Sequence, residues 1–90
     1  MKFKNKIKHF ESLEDPLDRL DYLYDIVFEA GENRMQVVKM LLIYFLDNDR
    51  SISEMNTILT IVDPFRGKNT FINVSYRELD RRLINKLKTK

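Results

Sequence analysis

Five carboxylates set the chemistry that this chain has to offer. At about 100° per residue, Asp18, Asp21, Asp25 and Glu29, with Glu32 just beyond, fall inside an arc of about 80° on one side of a helix. Paired carboxylates serve acid–base catalysis when a nucleophile motif, a phosphate-cradling loop or a metal-ligand set stands beside them. The sequence has two glycines and no Gly-rich loop, lacks cysteine altogether, and holds a single histidine, His9. Disulfides, thiolate zinc sites and a metal site built on several histidines are therefore all out of reach of one chain. No catalytic residue, metal site, cofactor or small-molecule substrate is expected.

What remains is recognition by charge. Like charges stacked at i, i+3 and i+4 cost a few tenths of a kcal/mol per pair, which a basic partner offsets. Their spacing of about 5–6 Å suits docking on a basic protein surface, or a crude imitation of a phosphate backbone. Tyr22 and Phe28 flank the acidic arc and are candidate interface anchors. A second set, Arg66, Lys68, Arg77, Arg81, Arg82, Lys86 and Lys88, supplies the opposite charge and suits contact with the phosphates of duplex DNA.

The elements that must position these groups follow from periodicity and punctuation. Asp15 as N-cap, Pro16 at the first helical position and Gly31 as a stop place a helix over residues 16–30. A second helix over 33–46 carries apolar residues around most of its circumference, closed by the turn-forming Asp47-Asn48-Asp49-Arg50. Ser51 and Glu54 form a capping box for a third helix over 51–60, ended by Asp63-Pro64. Ser75 and Glu78 suggest another box, opening a helix over 75–88. Between them, residues 61–74 read as one long loop or a small hairpin. Residues 1–10, where Lys alternates with Phe3, Asn5, Ile7 and His9, read as a flexible basic arm docking through Phe3, Ile7 and Phe10. The expected fold is an all-α bundle of about four helices in a single domain over residues 1–90.

Charge is segregated along the chain. Residues 1–9 carry four lysines and no acid, and residues 10–30 carry seven acids against Arg19 alone. Residues 31–50 balance, while 51–90 carry eight bases and four acids, so a net charge of +2 conceals a strongly polar molecule. The longest apolar run, Met40 to Leu46, is far short of the roughly 20 residues that span a bilayer, and a cytoplasmic protein without membrane contact is expected. Phe, Tyr, Met, Ile, Asn and Lys supply 38 of the 90 residues. Their AT-rich codons suggest a low-GC bacterium, or a phage or plasmid carried by one.

These readings converge on a small non-enzymatic regulator that binds a partner protein through its acidic helix face. The alternative is a DNA-binding transcriptional regulator. Helices 33–46 and 51–60 joined by a short polar turn resemble a helix-turn-helix unit, with residues 63–73 as a wing and the basic C-terminal helix on phosphate. The apolar girdle of the second helix also predicts a homodimer built on Val37, Met40, Leu41, Leu42, Tyr44 and Phe45.

Overall fold

A computed structural model describes residues 2–89. The order is α1 (Phe3–Ser12), α2 (Pro16–Phe28), α3 (Arg34–Asp47), α4 (Ile52–Val62) and α5 (Thr70–Lys88), and no strand occurs among the described residues. Short 3-10 turns at Gly31–Asn33 and Asp63–Phe65 link α2 to α3 and follow α4. The described residues are all-α, as expected, with five helices in place of four.

Local chemistry explains most of the boundaries. The Asp15 carboxylate accepts the Leu17 N–H at 2.9 Å, and Pro16, which has no N–H, leaves no donor unsatisfied at the first position of α2. Gly31 has φ +58°, a left-handed conformation that only glycine adopts without strain, and it turns the chain from α2 into α3. The Ser51 hydroxyl accepts the Glu54 N–H and starts α4.

Three expectations need correction. Residues 3–12 are not an arm: they form α1, and Phe10 lies wholly within the core with Phe3 and Ile7 packed beside it. These three side chains stand at i, i+4 and i+7, a helical spacing whose burial outweighs the alternating lysines. No hairpin forms within 61–74, because α4 continues to Val62 and α5 begins at Thr70. The cap of α5 is Asn69, whose side chain accepts the Ile72 N–H, while Ser75 is buried inside the helix. Starting five residues early buries Ile72, which a helix from Ser75 would leave outside the core.

The core joins all five helices through Phe10, Leu23, Ile26, Val27, Val38, Leu41, Leu42, Phe45, Met55, Ile58, Val62, Ile72 and Leu79. The most enclosed helix is α4, with seven of its eleven residues buried. α2 packs on α1, α3 and α4, and α5 packs on α3 and α4, so α2 and α5 share α3 and α4 as their main common neighbours. This arrangement corrects the dimer surface read from the sequence. Leu41, Leu42 and Phe45 are at most 1% exposed inside the chain's own core, and Val37, Met40 and Tyr44 are half-buried. α5, α2 and α4 cover the inner side of the girdle that was assigned to a second subunit, while Ile43 on its outer side stays 48% exposed. Thr57, on the helix that a helix-turn-helix reading would place in the groove, is also buried.

Candidate functional site

α2 separates two kinds of charge. On its outward side Asp18, Asp21, Asp25 and Glu29 are all exposed, and Glu32 continues the row past the helix end. None of the five makes a salt bridge among the described residues. The lysines of α1 do not neutralise them, although α1 lies alongside, with the His9 ring edge-on to Tyr22 at 4.7 Å between centroids. Burial together with the nearby Glu29 and Asp25 pushes the Tyr22 phenol above its ordinary value, a direct trace of the local negative field.

An apolar ridge borders this row. Leu17 is 70% exposed and Phe28 50%, and the Phe28 ring stacks on Tyr24 at 6.0 Å with planes 9° apart. On the helical wheel Leu17, Tyr24 and Phe28 sit within about 40° of one another, immediately beside Asp21. The core takes Leu23, Ile26 and Val27 from this helix, with Tyr24 packed against its edge. Arg34 fixes the far end of the ridge, donating to the Phe28 carbonyl at 3.1 Å with its guanidinium 5.5 Å from the ring centroid. At the near end, Leu13, Pro16, Leu17 and Leu20 line an open cleft of about 510 Å³ that reaches Arg19, Ser51 and Glu54. The outward face of α2 thus combines carboxylates, aromatic and aliphatic side chains, and a cleft at one end.

The inward side of the same helix holds Arg19, which sequence reasoning left without a role. Its Nη2 and Nε meet one Glu54 oxygen at 2.7 and 2.9 Å, and its Nη1 donates to the Phe10 and Leu13 carbonyls. The guanidinium also lies 4.4 Å from the Phe10 ring centroid. A second arginine approaches the same ring, with Arg50 at 5.9 Å, and Glu11 joins the two at 2.8 Å to Arg50 and 3.8 Å to Arg19. Arg50 also donates to the Tyr44 hydroxyl. Burial and the hydrogen bond to Glu11 push Tyr44 up to about 12, while Tyr44 and Arg50 hold the Glu11 carboxyl below its ordinary value against the opposing effect of burial. This cluster ties α1, α2, α3 and α4 together. It was legible at one point: on the wheel Arg19 falls between Ile26 and Leu23, in the apolar arc.

The basic set is divided. Arg81 and Arg82 both pair with Glu78 at 2.6 and 2.8 Å, which draws the Glu78 carboxyl below its ordinary range. Arg82 also donates to the Leu46 carbonyl, and Lys86 to the Arg50 carbonyl at 2.6 Å and the Asp49 carboxylate at 2.7 Å, so both close the C-terminal end of α3 and the turn beyond it. Arg66 pairs with Asp63 and lies 4.2 Å from the Tyr76 ring centroid. Lys68, Arg77 and Lys88 have no carboxylate partner among the described residues. Residues 63–73 form no wing: they comprise the 3-10 turn, a short connection and the first turn of α5.

No group of three or more His, Asp or Glu among the described residues is placed to hold a metal ion, and no helix there is long and apolar enough to cross a membrane. No family model matches this chain, and neither a curated protein nor a solved structure is significantly similar to it.

Proposed function

We propose that this chain is a small non-enzymatic binding protein whose outward α2 face docks on a basic protein surface. One observation carries the reading: five exposed carboxylates remain unpaired beside an exposed apolar ridge, while four of the seven candidate DNA-contacting bases already have carboxylate partners. Carboxylates that repel one another on one helix are relieved when lysines or arginines approach, and Leu17 and Phe28 supply the apolar anchors that charge alone lacks. Contact with duplex DNA through α5 is the less supported alternative, because Arg82 and Lys86 are occupied in closing the end of α3.

The test is a titration with a lysine-rich amphipathic peptide, followed by amide chemical shifts. Shifts should concentrate on residues 16–32 and weaken steeply with salt. The triple variant Asp21→Lys, Asp25→Lys, Glu29→Lys should lose them. A peptide that perturbs other surfaces, or that binds the triple variant equally well, removes the reading. A duplex retarded in a gel at low salt, and released by Arg77→Ala with Arg81→Ala, would favour the DNA alternative.

A further inference from the structure

α5 carries an outward face that none of the described residues covers. Its core side is Ile72, Ser75, Leu79 and Leu83. Opposite them, Val74, Arg77, Arg81, Ile84 and Lys88 fall within an arc of about 80°, with Val74 59% and Ile84 44% exposed. Glu78 offsets one of the two arginines it binds, and the charges of Arg77 and Lys88 stand free of carboxylates among the described residues. This is a basic ridge with apolar positions set into it.

We infer that the occupant of this face is a second copy of the same chain, presenting the outward face of its α2. The inference rests on the reading of α2 as a docking surface and names its partner. Charge complementarity comes first: carboxylates on one helix, guanidinium and ammonium groups on the other. Dimensions agree as well. Asp18 and Glu29, like Arg77 and Lys88, stand eleven positions apart, about 16.5 Å along a helix axis at 1.5 Å per residue. Asp21 and Asp25 lie at intermediate heights on one face, as Arg81 does on the other. Leu17 and Phe28 beside the acidic row meet Val74 and Ile84 within the basic one.

The geometry of association follows from the layering. α2 and α5 both pack on α3 and α4 and make no substantial contact with one another, so their outward faces are separate surfaces of the chain. A two-fold pair would need both on one interface. Contact between them is therefore heterologous, leaving one free α2 face and one free α5 face after each addition, and assembly continues past the dimer. A contact one helix wide is well short of the roughly 800 Å² per partner of a standard stable interface. The association is consequently weak, reversible and strongly screened by salt.

Light scattering across a concentration series tests it with two variants. One neutralises α2 (Asp21→Asn, Asp25→Asn, Glu29→Gln) and the other neutralises the α5 ridge (Arg77→Gln, Arg81→Gln, Lys88→Gln), with unchanged helical circular dichroism required of both. The wild type should rise from 10.9 kDa beyond twice that mass at low salt. It should fall back in 1 M salt, where the Debye length is about 3 Å. Each variant alone should stay monomeric, and their mixture should form a 1:1 pair and nothing larger. A wild type that stays at one chain, or stops at two, overturns the inference, as does self-association by either variant. Binding of a lysine-rich peptide separates this outcome from failure of the α2 reading. A ridge-neutralised variant that still binds the peptide, beside a monomeric wild type, overturns self-association alone, whereas loss of peptide binding there overturns both.

Discussion

The two sides of α2 handle charge in opposite ways. Inward, Arg19 is enclosed by Glu54, two backbone carbonyls and the Phe10 ring, so its cost of leaving water is met by partners within 3.2 Å. Outward, Asp18, Asp21, Asp25 and Glu29 remain hydrated and unpaired. A charge that cements a fold is buried and saturated with donors or acceptors; a charge available to a partner is exposed and has none. One helix carries both, separated by about a third of a turn.

The largest expected effect comes from the enclosed side. Phe10→Ala removes a wholly buried ring together with the surface that both arginines face, and should cost about 3–5 kcal/mol by urea unfolding. An effect near zero would mean that residues 3–12 do not hold the core together. Next, Glu54→Ala strands Arg19. Because these side chains remain 20% and 12% exposed, the loss should be about 2–3 kcal/mol, below that of a fully buried pair. Replacing both, Arg19→Met with Glu54→Leu, should recover most of it in a double-mutant cycle.

On the open side the sign reverses. Asp21→Asn with Asp25→Asn removes three like-charge contacts at i, i+3 and i+4 and should raise stability by about 1 kcal/mol at low salt, with the gain vanishing in 1 M salt. Destabilisation by this pair would show that the stripe has intramolecular partners after all. The smallest effect is on pH dependence. The Glu11 carboxyl is held below its ordinary value in the fold, so its contribution is complete above the unfolded pKa of about 4.5 and disappears as pH falls through the lower folded value. Glu11→Gln should flatten the unfolding midpoint over that acid range while costing less than about 1 kcal/mol at neutral pH.

How much of this was legible depended on distance along the chain. The starts of α2 and α4 were readable because their signals, Asp15-Pro16 and Ser51-x-x-Glu54, act within one turn. The same local logic misplaced α5. Ser75 and Glu78 imitate a capping box, yet the β-branched and aromatic run Thr70-Phe71-Ile72-Asn73-Val74 goes helical because Ile72 has a place in the core. α1 was hidden by superposed patterns, lysines at period two over Phe3, Ile7 and Phe10 at helical spacing. For the site, exposure of the acidic row could be read from the wheel. The pairing of Arg19 with Glu54, 35 residues away, could not, since no local rule fixes which distant helix will meet a buried arginine.

The position of α5 also shapes how the chain comes into being. Its Ile72, Leu79 and Leu83 complete the core, and its Arg82 and Lys86 close the end of α3, yet it is the last of the five helices to be synthesised. At ~5–20 residues per second its 19 residues take about 1–4 s to make, while helices and hydrophobic clusters form within microseconds. During those seconds the apolar flanks of α3 and α4 have formed without their cover. The nascent chain is at its stickiest until α5 has emerged, and that interval is when a holdase has most to protect.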